Sequence, residues 1–416
     1  MITVVGLGFV GLTTALGFSQ KNFKVYGYDI DKDKISSIKK CRIPFYEPHL
    51  DKACKTYLGN NFIIADSLQE AVSKSRIVFY CVGTPSSEDG SADLTYLYEA
   101  IEKTLSGLNK DNYKVLVIKS TIPPSTTQEK IKPFIEKLGF TVGKDIGLAN
   151  NPEFLREGCA WDDFIHPDRI VIGVEDEKSI EILSYCYKPF AAPIHKVSLT
   201  TGEFIKYLSN TLLSSLISYS NEMSMVANSI GGIDIPKAFK ILHDDKRWFG
   251  QPAKMISYVY PGCGFGGYCL PKDTMAICSI SEMKGFSPKI LQSVIETNSL
   301  IKNFVVNHLT KEIKPNQAIG ILGLSFKPDS DDVRETPAKD IIEKLLEKGY
   351  SNLYAYDPMA VEVFKKTYNI DIHYLNSLED IVQKADVLVL LTAWKEFKER
   401  EGLLKQKPLY DFRYFL

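Results

Sequence analysis

The chain has 416 residues, more than one hydrophobic core supports, so we expect two or three domains. Its 44% hydrophobic and 24% charged residues are typical of a globular protein in water. The formal net charge of −1 gives no general attraction to nucleic acid or an anionic membrane. No apolar run reaches the ~18 residues of a spanning helix, no leader-like segment precedes the first strand pattern, and the eight cysteines form no CxxC pair. We therefore expect a cytoplasmic protein with neither disulfides nor a metal site.

An apolar run at Ile2–Val5 is followed by the glycine-rich sequence GLGFVG (residues 6–11) and a helical pattern. In such a turn the first glycine permits the tight bend, the second lets backbone approach a pyrophosphate, and the third allows close packing of helix on strand. The next strand pattern, Lys24–Tyr28, ends in Asp29, where a carboxylate binds a ribose hydroxyl. This combination predicts a dinucleotide-binding Rossmann unit, and the acid favours NAD over NADP.

Three further strand patterns alternate with helical ones, at Phe62–Ala65, Arg76–Val82 and Lys114–Ile118. This alternation predicts a parallel sheet with crossover helices. The segments after the last two strands contain Thr84 and Thr121, each close to a proline. Ligands bind at the carboxyl ends of such strands, although each segment taken singly is more often a plain turn.

The segment Leu148–Gly158 reads LANNPEFLREG and contains two acids. Glu153 and Glu157 are four residues apart, so a helical turn would place both carboxylates on one face. Such acids usually form a solvated face, whereas the Asn-Asn-Pro sequence ahead of them favours a loop that enters a site. The spacing alone leaves both interpretations open.

The longest uninterrupted helical pattern runs from Thr201 to about Ile230. Glu203, Lys206 and Asn210 recur at intervals of three and four residues and therefore share one stripe of the predicted helix. Most of the remaining surface is apolar, so we expect a second subunit to cover it. A helical lysine is more commonly solvated or salt-bridged than catalytic, so the pattern alone gives Lys206 no role.

A glycine-rich stretch, residues 261–273, surrounds Cys269 and reads PGCGFGGYCLPKD. Pro271 suits the first turn of a helix, and Lys272 and Asp273 flank the thiol. A cysteine near a helix start and beside a lysine has reasons to be a thiolate. The alternative is a buried, inert thiol, because free cysteines are usually small core hydrophobes.

Cations and aromatic residues lie just upstream of this stretch and are suited to a phosphate and a flat base. They are Arg247, Trp248, Lys254, Tyr258 and Tyr260.

The α/β alternation restarts near residue 314, with strand patterns at Ala318–Leu322 and Val387–Leu391. The glycines of its first turn do not fit GxGxxG, which favours a mononucleotide-binding half over a second NAD site. Lys327 and Arg334 follow its first strand, where a phosphate or the domain cleft would lie.

Eight segments, in the same order along the chain, resemble the nucleotide-sugar 6-dehydrogenases. They are GLGFVG, VGTPSSEDGSADL, STIPPSTT, NNPEFLREG, HPDRIVIG, EFIKYLSNT, GFGGYCLPKD and GLSFKPDSDDVRET. The resemblance implies an α/β fold with two Rossmann-like, doubly wound parallel-sheet domains joined by a long central helix. The implied regions are an NAD-binding domain (1–200), a helical region for homodimerisation (201–313) and a UDP-sugar-binding domain (314–416).

The resemblance also implies oxidation of the C6 alcohol of UDP-glucose to a carboxylate with two NAD per turnover; GDP-mannose or a UDP-N-acetylhexosamine is the alternative substrate. The implied catalytic residues are Cys269 as nucleophile with Thr121, Glu153, Lys206, Asn210 and Asp273. The implied cofactor-binding residues are Gly6, Gly8, Val10, Gly11, Asp29, Lys34, Thr84, Thr121, Glu157 and Arg334. The implied substrate-binding residues are Glu153, Phe154, Leu155, Glu157, Lys206, Asn210, Tyr260, Gly266 and Lys327.

These residue types suit the chemistry. A lysine ammonium and an asparagine amide can stabilise an oxyanion, and a thiolate can add to an aldehyde so that a second hydride can leave. Asp273, Thr121 or Glu153 can hold the hydrolytic water. No histidine lies between His243 and His308, which disfavours a Cys/His protease. Two other interpretations stay open: a dinucleotide-binding regulator or redox sensor that does not need the cysteine, and a single-step hydroxyacid dehydrogenase.

Overall fold

The computed structural model describes residues 1–416 apart from residues 46, 86–90, 111, 157, 251, 254, 256, 257, 259, 260 and 268. Within two helices it leaves out the side chains of residues 214, 217, 218, 221, 224, 228, 269, 272, 273, 276, 277, 279 and 280. The chain forms two compact units, Met1–Ser214 and Ser215–Leu416.

An eight-stranded sheet organises the first unit. Its strands are β1 (Ile2–Val5), β2 (Val25–Tyr28), β3 (Phe62–Ile64), β4 (Ile77–Tyr80), β5 (Lys114–Ile118), β6 (Ile146–Asn150), β7 (Ile170–Val174) and β8 (Ile194–Val197). They lie in the order β3-β2-β1-β4-β5-β6-β7-β8, and β1 to β6 are parallel. β1, β4, β5 and β6 are buried along their whole length, because crossover helices cover both faces of such a sheet.

Helices connect these strands. They are α1 (Phe9–Gln20), α2 (Lys32–Lys39), α3 (Leu50–Tyr57), α4 (Leu68–Ser73), α5 (Thr95–Leu105), α6 (Lys132–Lys137), α7 (Ala160–Ile165), α8 (Glu177–Tyr187) and α9 (Leu199–Ile230), with a π-helix at Thr127–Ile131 and a 3-10 turn at Lys188–Phe190. Side chains of Asp31, Ser67 and Asp176 accept backbone N–H bonds at the starts of α2, α4 and α8, which fixes where these helices begin.

β7 departs from the predicted parallel pattern. It pairs antiparallel with β6, with Asn150 opposite Gly173, and β8 is parallel to β7. β7 therefore enters the sheet from the edge at which β6 ends. The connection 151–169 stays at that carboxyl edge instead of crossing the sheet, and this is the edge where ligands bind in such folds.

The second unit contains a parallel five-stranded sheet. Its strands are β9 (Ile319–Leu322), β10 (Leu353–Tyr356), β11 (His373–Tyr374), β12 (Val387–Leu390) and β13 (Leu409–Asp411), in the order β11-β10-β9-β12-β13. Its helices are α10 (Ile235–His243), α11 (Cys269–Met283), α12 (Lys289–Glu312), α13 (Pro337–Glu347), α14 (Val361–Tyr368), α15 (Leu378–Lys384), α16 (Lys395–Glu399) and α17 (Glu401–Leu404), with a 3-10 turn at Lys246–Trp248.

The strand order β11-β10-β9-β12-β13 repeats the order β3-β2-β1-β4-β5 of the first unit. Two Rossmann-like sheets and a 32-residue helix, α9, are thus present, which confirms the predicted fold class. Most predicted strands are present within one or two residues of their expected ends; β4, for example, is shorter than the predicted Arg76–Val82. In the described part of the chain, no helix is both long and apolar enough to cross a membrane, and no cluster of three metal-ligating side chains occurs.

Asp357, which follows β10, is the polar centre of the second sheet and is only 3% exposed. It accepts six hydrogen bonds, from the backbone N of Leu324, Ser325, Met359 and Ala360, from Ser325 Oγ and from Trp394 Nε1, at 2.8–3.1 Å. These donors follow β9, β10 and β12, so one carboxylate ties three strand ends together.

We predict that Asp357→Ala lowers the free energy of unfolding of this unit by at least about 3 kcal/mol, because several buried donors lose their acceptor. Calorimetry measures the change. Asp386→Ala is the matched control: Asp386 is exposed and accepts one bond, from the Ala318 amide at 2.8 Å. The control should cost less than about 1 kcal/mol, and equal losses in the two variants would contradict the prediction.

Candidate active site

The glycine turn between β1 and α1 has the geometry that its sequence predicts. Gly6 has a φ of +87°, which favours glycine. A Cβ on Gly11 would lie 1.8 Å from the carbonyl oxygen of Gly6, so α1 packs too closely for any side chain there. A Cβ on Gly8 would meet no atom within 4 Å, which leaves open space beside the turn for a phosphate.

A groove of about 250 Å³ runs along this turn. Its lining includes Gly6, Gly8, Asp29, Lys34, Val82 and Gly83. The Asp29 carboxylate accepts bonds from the Leu7 amide (2.7 Å) and from Lys34 Nζ (2.8 Å) through Oδ2, and from the Asp31 amide (2.9 Å) through Oδ1. Oδ1 can accept a further hydrogen bond, so the groove fits the ribose and pyrophosphate of a dinucleotide. Val10, in the first turn of α1, is half-buried.

The matching turn of the second unit is different. Gly323 has a φ of +98°, but a Cβ there would lie 2.4 Å from the Thr392 side chain. Asp357 corresponds to Asp29 in its sheet, and both of its carboxylate oxygens accept hydrogen bonds from protein donors. Asp357 therefore offers a ribose hydroxyl no acceptor comparable to Asp29.

Hydrogen bonds join the predicted segments after β4 and β5. Thr84 Oγ1 donates to the carbonyl oxygen of Thr121 at 2.9 Å, and Ser120 Oγ donates to that of Val82 at 2.6 Å. The structure thus brings Thr84 and Thr121 together at the carboxyl edge of the sheet.

A cavity of about 480 Å³ lies within the first unit and is lined largely by the connection 151–169. Glu153 Oε1 lies 2.7 Å from Lys206 Nζ, and both side chains are largely buried, at 14% and 9% exposure. Phe154 also lines the cavity; its ring stacks under Arg169, with the guanidinium carbon 4.1 Å from the ring centroid. Leu155 is half-buried in the same wall. A paired ammonium and carboxylate beside an aromatic ring can bind and polarise a hydroxyl-bearing substrate.

Of the two interpretations of the segment that contains Glu153 and Glu157, the described residues favour a loop over a helical face. Residues 151–156 form no helix. Glu153 Oε2 instead accepts a bond from the Leu155 amide at 2.6 Å, a local turn that competes with helix formation. Glu157 lies outside the described residues.

Lys119 is a buried cation of this cavity that the sequence reasoning did not select. It is 4% exposed, and Nζ donates to Asn151 Oδ1 at 2.9 Å; the Tyr187 hydroxyl donates to the same oxygen. Burial lowers the pKa of Lys119, Lys206 also lowers it, and Cys81 and Glu153 oppose the change. A lysine directly after the four apolar residues Val115–Ile118 of β5 was the available sequence signal.

Glu47 was also missed. It is 5% exposed and accepts bonds from the backbone N of Gly158 and Ala160, both at 2.8 Å. It therefore anchors the connection 151–169 from 111 residues upstream of Gly158. Nothing in its local sequence indicated that contact.

Other predicted site residues have separate surroundings. Asn210, one turn after Lys206 on α9, is exposed. In the second unit, Lys327 is exposed, with Nζ 5.6 Å from the Phe326 ring centroid, and Arg334 Nη2 pairs with Asp332 at 2.7 Å. Arg247 is exposed and pairs with the neighbouring Asp245.

The glycine-rich stretch contacts the loop after β9. The Gly267 amide donates to the carbonyl oxygen of Arg334 at 2.8 Å. A Cβ on Gly266 would lie 2.2 Å from the carbonyl oxygen of Glu335. The close approach that requires glycine here is therefore made to protein backbone. α11 begins at Cys269, which puts Pro271 in its first turn as predicted. Tyr260 and the side chains of Cys269 and Asp273 lie outside the described residues.

Burial raises the pKa of five of the seven described cysteines, so these thiols are protonated at neutral pH and are poor nucleophiles. They are Cys54, Cys81, Cys186 and Cys263, each with a pKa of about 12, and Cys278.

A dinucleotide groove and a buried lysine–carboxylate pair at the edge of one Rossmann sheet define an NAD-dependent dehydrogenase. The chain belongs to the UDP-glucose/GDP-mannose dehydrogenase family. It matches the family's NAD binding domain over residues 1–191, its central domain over 200–300 and its UDP binding domain over 320–416. NAD is therefore its cofactor, and its substrate is a nucleotide sugar.

Individual relatives align over almost the whole chain. UDP-glucose 6-dehydrogenase from Rickettsia bellii (strain RML369-C) is 38% identical, covering 100% of this chain and 95% of its own. UDP-glucose 6-dehydrogenase TuaD from Bacillus subtilis (strain 168) is 36% identical over 99% of this chain and 88% of its own.

Among solved structures, a ternary complex of GDP-mannose dehydrogenase from Pseudomonas aeruginosa has a TM-score of 0.88 at 29% identity, covering 100% of this chain and 97% of that one. A UDP-glucose dehydrogenase from Pyrobaculum islandicum has a TM-score of 0.56 at 34% identity, covering 100% and 94%.

The lowered pKa of Lys119 predicts a pH-dependent stability. Between that pKa and the ordinary lysine value of about 10.4, the unfolded chain binds a proton that the folded chain does not. The wild type should therefore gain stability relative to Lys119→Met as pH rises through this window, by at most about 1.4 kcal/mol per pH unit. Urea unfolding of both proteins at several pH values measures it, and a difference independent of pH would contradict it.

Proposed function

We propose that this protein oxidises UDP-glucose at C6 to UDP-glucuronate in two NAD-dependent steps. The observation that carries the proposal is the buried Lys206–Glu153 pair at the carboxyl edge of the NAD-binding sheet. The relatives named UDP-glucose 6-dehydrogenase, which are 33–38% identical over at least 95% of the chain, support this substrate.

The first step converts the C6 alcohol to an aldehyde. The alcohol loses its hydroxyl proton to a base and a hydride from carbon, and the Lys206 ammonium stabilises the developing alkoxide. Glu153 holds that ammonium in place at 2.7 Å. NAD, when bound in the groove beside the glycine turn, accepts one hydride at each of the two oxidation steps.

The second step uses Cys269. Its thiolate adds to the aldehyde carbon and the oxygen takes a proton, which gives a thiohemiacetal. Loss of a hydride from carbon and a proton from oxygen leaves a thioester, and water then releases the carboxylate and the thiol. We assign the water to Thr121, Asp273 and Glu153, with Asn210 beside the oxyanion.

The remaining predicted roles fit this scheme. We propose domain limits of 1–200, 201–313 and 314–416, with Phe154, Leu155, Glu157, Tyr260, Gly266 and Lys327 on the nucleotide sugar, and Val10, Lys34, Thr84, Glu157 and Arg334 on the cofactor. A reducing cytoplasm would keep the nucleophilic thiol free.

GDP-mannose is the second candidate substrate, because the solved GDP-mannose dehydrogenase aligns with the whole chain at a TM-score of 0.88. We predict that UDP-glucose gives two NADH per sugar consumed, whereas GDP-mannose and UDP-N-acetylmannosamine give at least about a hundredfold lower kcat/KM, since buried polar groups would be left unpaired. Absorbance at the NADH band measures the NADH yield per sugar when the reaction is followed to completion, and its initial rates measure the preference between substrates.

Cys269→Ser is the companion variant, and it should bind UDP-glucose but lose net conversion to the acid. Cys278→Ser is its matched control, because burial keeps that thiol protonated, and it should retain both hydride steps. One NADH per sugar from the wild type would favour a single-step dehydrogenase. Full conversion by Cys269→Ser would exclude the cysteine mechanism.

We also propose that the working form is a homodimer covering α9 and α10. α10 has no buried residue, and Leu216, Tyr219 and Met225 on α9 are exposed. Tyr219 and Leu242 line an apolar groove of about 210 Å³ between these helices. An apolar face of this extent favours burial against a second copy of the chain.

Leu242→Asp should therefore raise the dimer dissociation constant by about tenfold or more, because a charge would be buried in the interface. Sedimentation velocity measures it. Met359→Asp, at another exposed apolar position of the second unit, should leave the association unchanged. A monomeric wild type, or equal effects of both substitutions, would contradict the dimer.

A further inference from the structure

Glu203, near the start of α9, is a buried carboxylate that lines neither the groove nor the cavity. It is 3% exposed. Its Oε1 accepts hydrogen bonds from the Thr127 amide at 2.7 Å and from Thr127 Oγ1 at 2.5 Å, and its Oε2 is buried with no hydrogen-bond partner among the described residues. Burial raises the pKa of this carboxyl, and bonds from Thr127 oppose that change. Burying a carboxylate is costly, so its contact with Thr127 calls for a functional explanation.

Thr127 ends the loop that begins at Thr121. At the upstream end, Thr84 Oγ1 holds the carbonyl oxygen of Thr121 at 2.9 Å. Within the loop, Ser125 has a φ of +71°, a conformation that side chains rarely adopt. Downstream, Thr127–Ile131 is a π-helix, a rare element frequently found at functional sites. Glu203 therefore fixes the downstream end of a strained loop.

Glu203 and Lys206 are three residues apart, so they share one face of α9. Glu203 bonds to the loop after β5, and Lys206 bonds to Glu153 in the loop after β6. The start of α9 thus holds both loops of the candidate site at a fixed separation.

We propose that Glu203 is a positioning residue that places Thr121 opposite Glu153 for hydrolysis of the thioester. It acts through the Thr127 end of the loop and touches neither substrate nor cofactor. This inference rests on the proposed function, because it assigns Thr121 a part in the hydrolytic step.

Glu222, also on α9, provides a matched control. It is 5% exposed and accepts bonds from the backbone N of Ile290 and Leu291, at 2.7 and 3.0 Å. It caps α12 in the second unit as Glu203 caps the π-helix in the first. Glu222→Ala therefore removes a similar buried contact without touching the loop after β5.

The kinetic experiment compares four enzymes: wild type, Glu203→Ala, Glu203→Gln and Glu222→Ala. We expect Glu203→Ala to lower kcat about 10- to 100-fold, since a displacement of about 1 Å has effects of that size, with the KM for UDP-glucose within about twofold. Glu203→Gln keeps an acceptor oxygen for Thr127 and should restore most of kcat. Glu222→Ala should leave kcat unchanged whatever it does to the melting temperature.

A double-mutant cycle separates positioning from general destabilisation. If Glu203 acts through Thr121, then Glu203→Ala should cost no more than about twofold in kcat when Thr121 is already alanine. An equal loss in both backgrounds would overturn the proposal, and so would wild-type kcat in Glu203→Ala.

Hydrogen exchange tests, without any turnover, whether Glu203 fixes the loop that begins at Thr121. Glu203→Ala should raise amide exchange across residues 121–131 at least about tenfold, and Glu222→Ala should not. Unchanged exchange there would overturn the proposal even in an active enzyme. A wild type that makes no NADH from any nucleotide sugar would instead refute the proposed function, while the exchange result would still decide whether Glu203 anchors the loop.

Discussion

The contact between Lys206 and Glu153 joins α9 to the connection 151–169 in the first unit. Both side chains are largely buried, and Nζ and Oε1 are 2.7 Å apart. Removing one partner of such a pair leaves an uncompensated charge, which costs roughly 3–5 kcal/mol. Separating the connection 151–169 from α9 would therefore be costly in free energy. Because β7 is antiparallel to β6, this connection also stays at the carboxyl edge, so the ion pair lies where the strands of the NAD-binding sheet end.

The two Rossmann-like sheets show how one architecture serves two purposes. Each has an aspartate directly after its second strand, Asp29 or Asp357, and in each that carboxylate accepts the amide two residues after the first strand. Asp29 leaves one oxygen able to accept more, whereas Asp357 is saturated by six protein donors. The first carboxylate can therefore bind a ribose, and the second serves to hold its domain together.

Local patterns carried most of what the sequence predicted. The GLGFVG turn, the strand ends and α9 depend on glycine dihedrals and on the periodicity of apolar residues, which are properties of neighbouring residues. The failures involve distant partners. The direction of β7 depends on how residues 151–169 return to the sheet, the loop conformation of Glu153 on its contact with Lys206, and the burial of Lys119 on its contact with Asn151. The resemblance supplied site residues such as Phe154 that periodicity alone did not.

The glycine-rich stretch packs against the loop after β9 within the second unit. Gly266 and Gly267 contact the backbone of Glu335 and Arg334, in the same loop that contains Lys327. α11 begins at Cys269, and the start of a helix stabilises a thiolate. Any larger residue at 266 would clash with backbone, so the position of the cysteine loop is set by the loop assigned to the nucleotide. Backbone contacts of Gly266 and Gly267 therefore fix the residues that lead into α11.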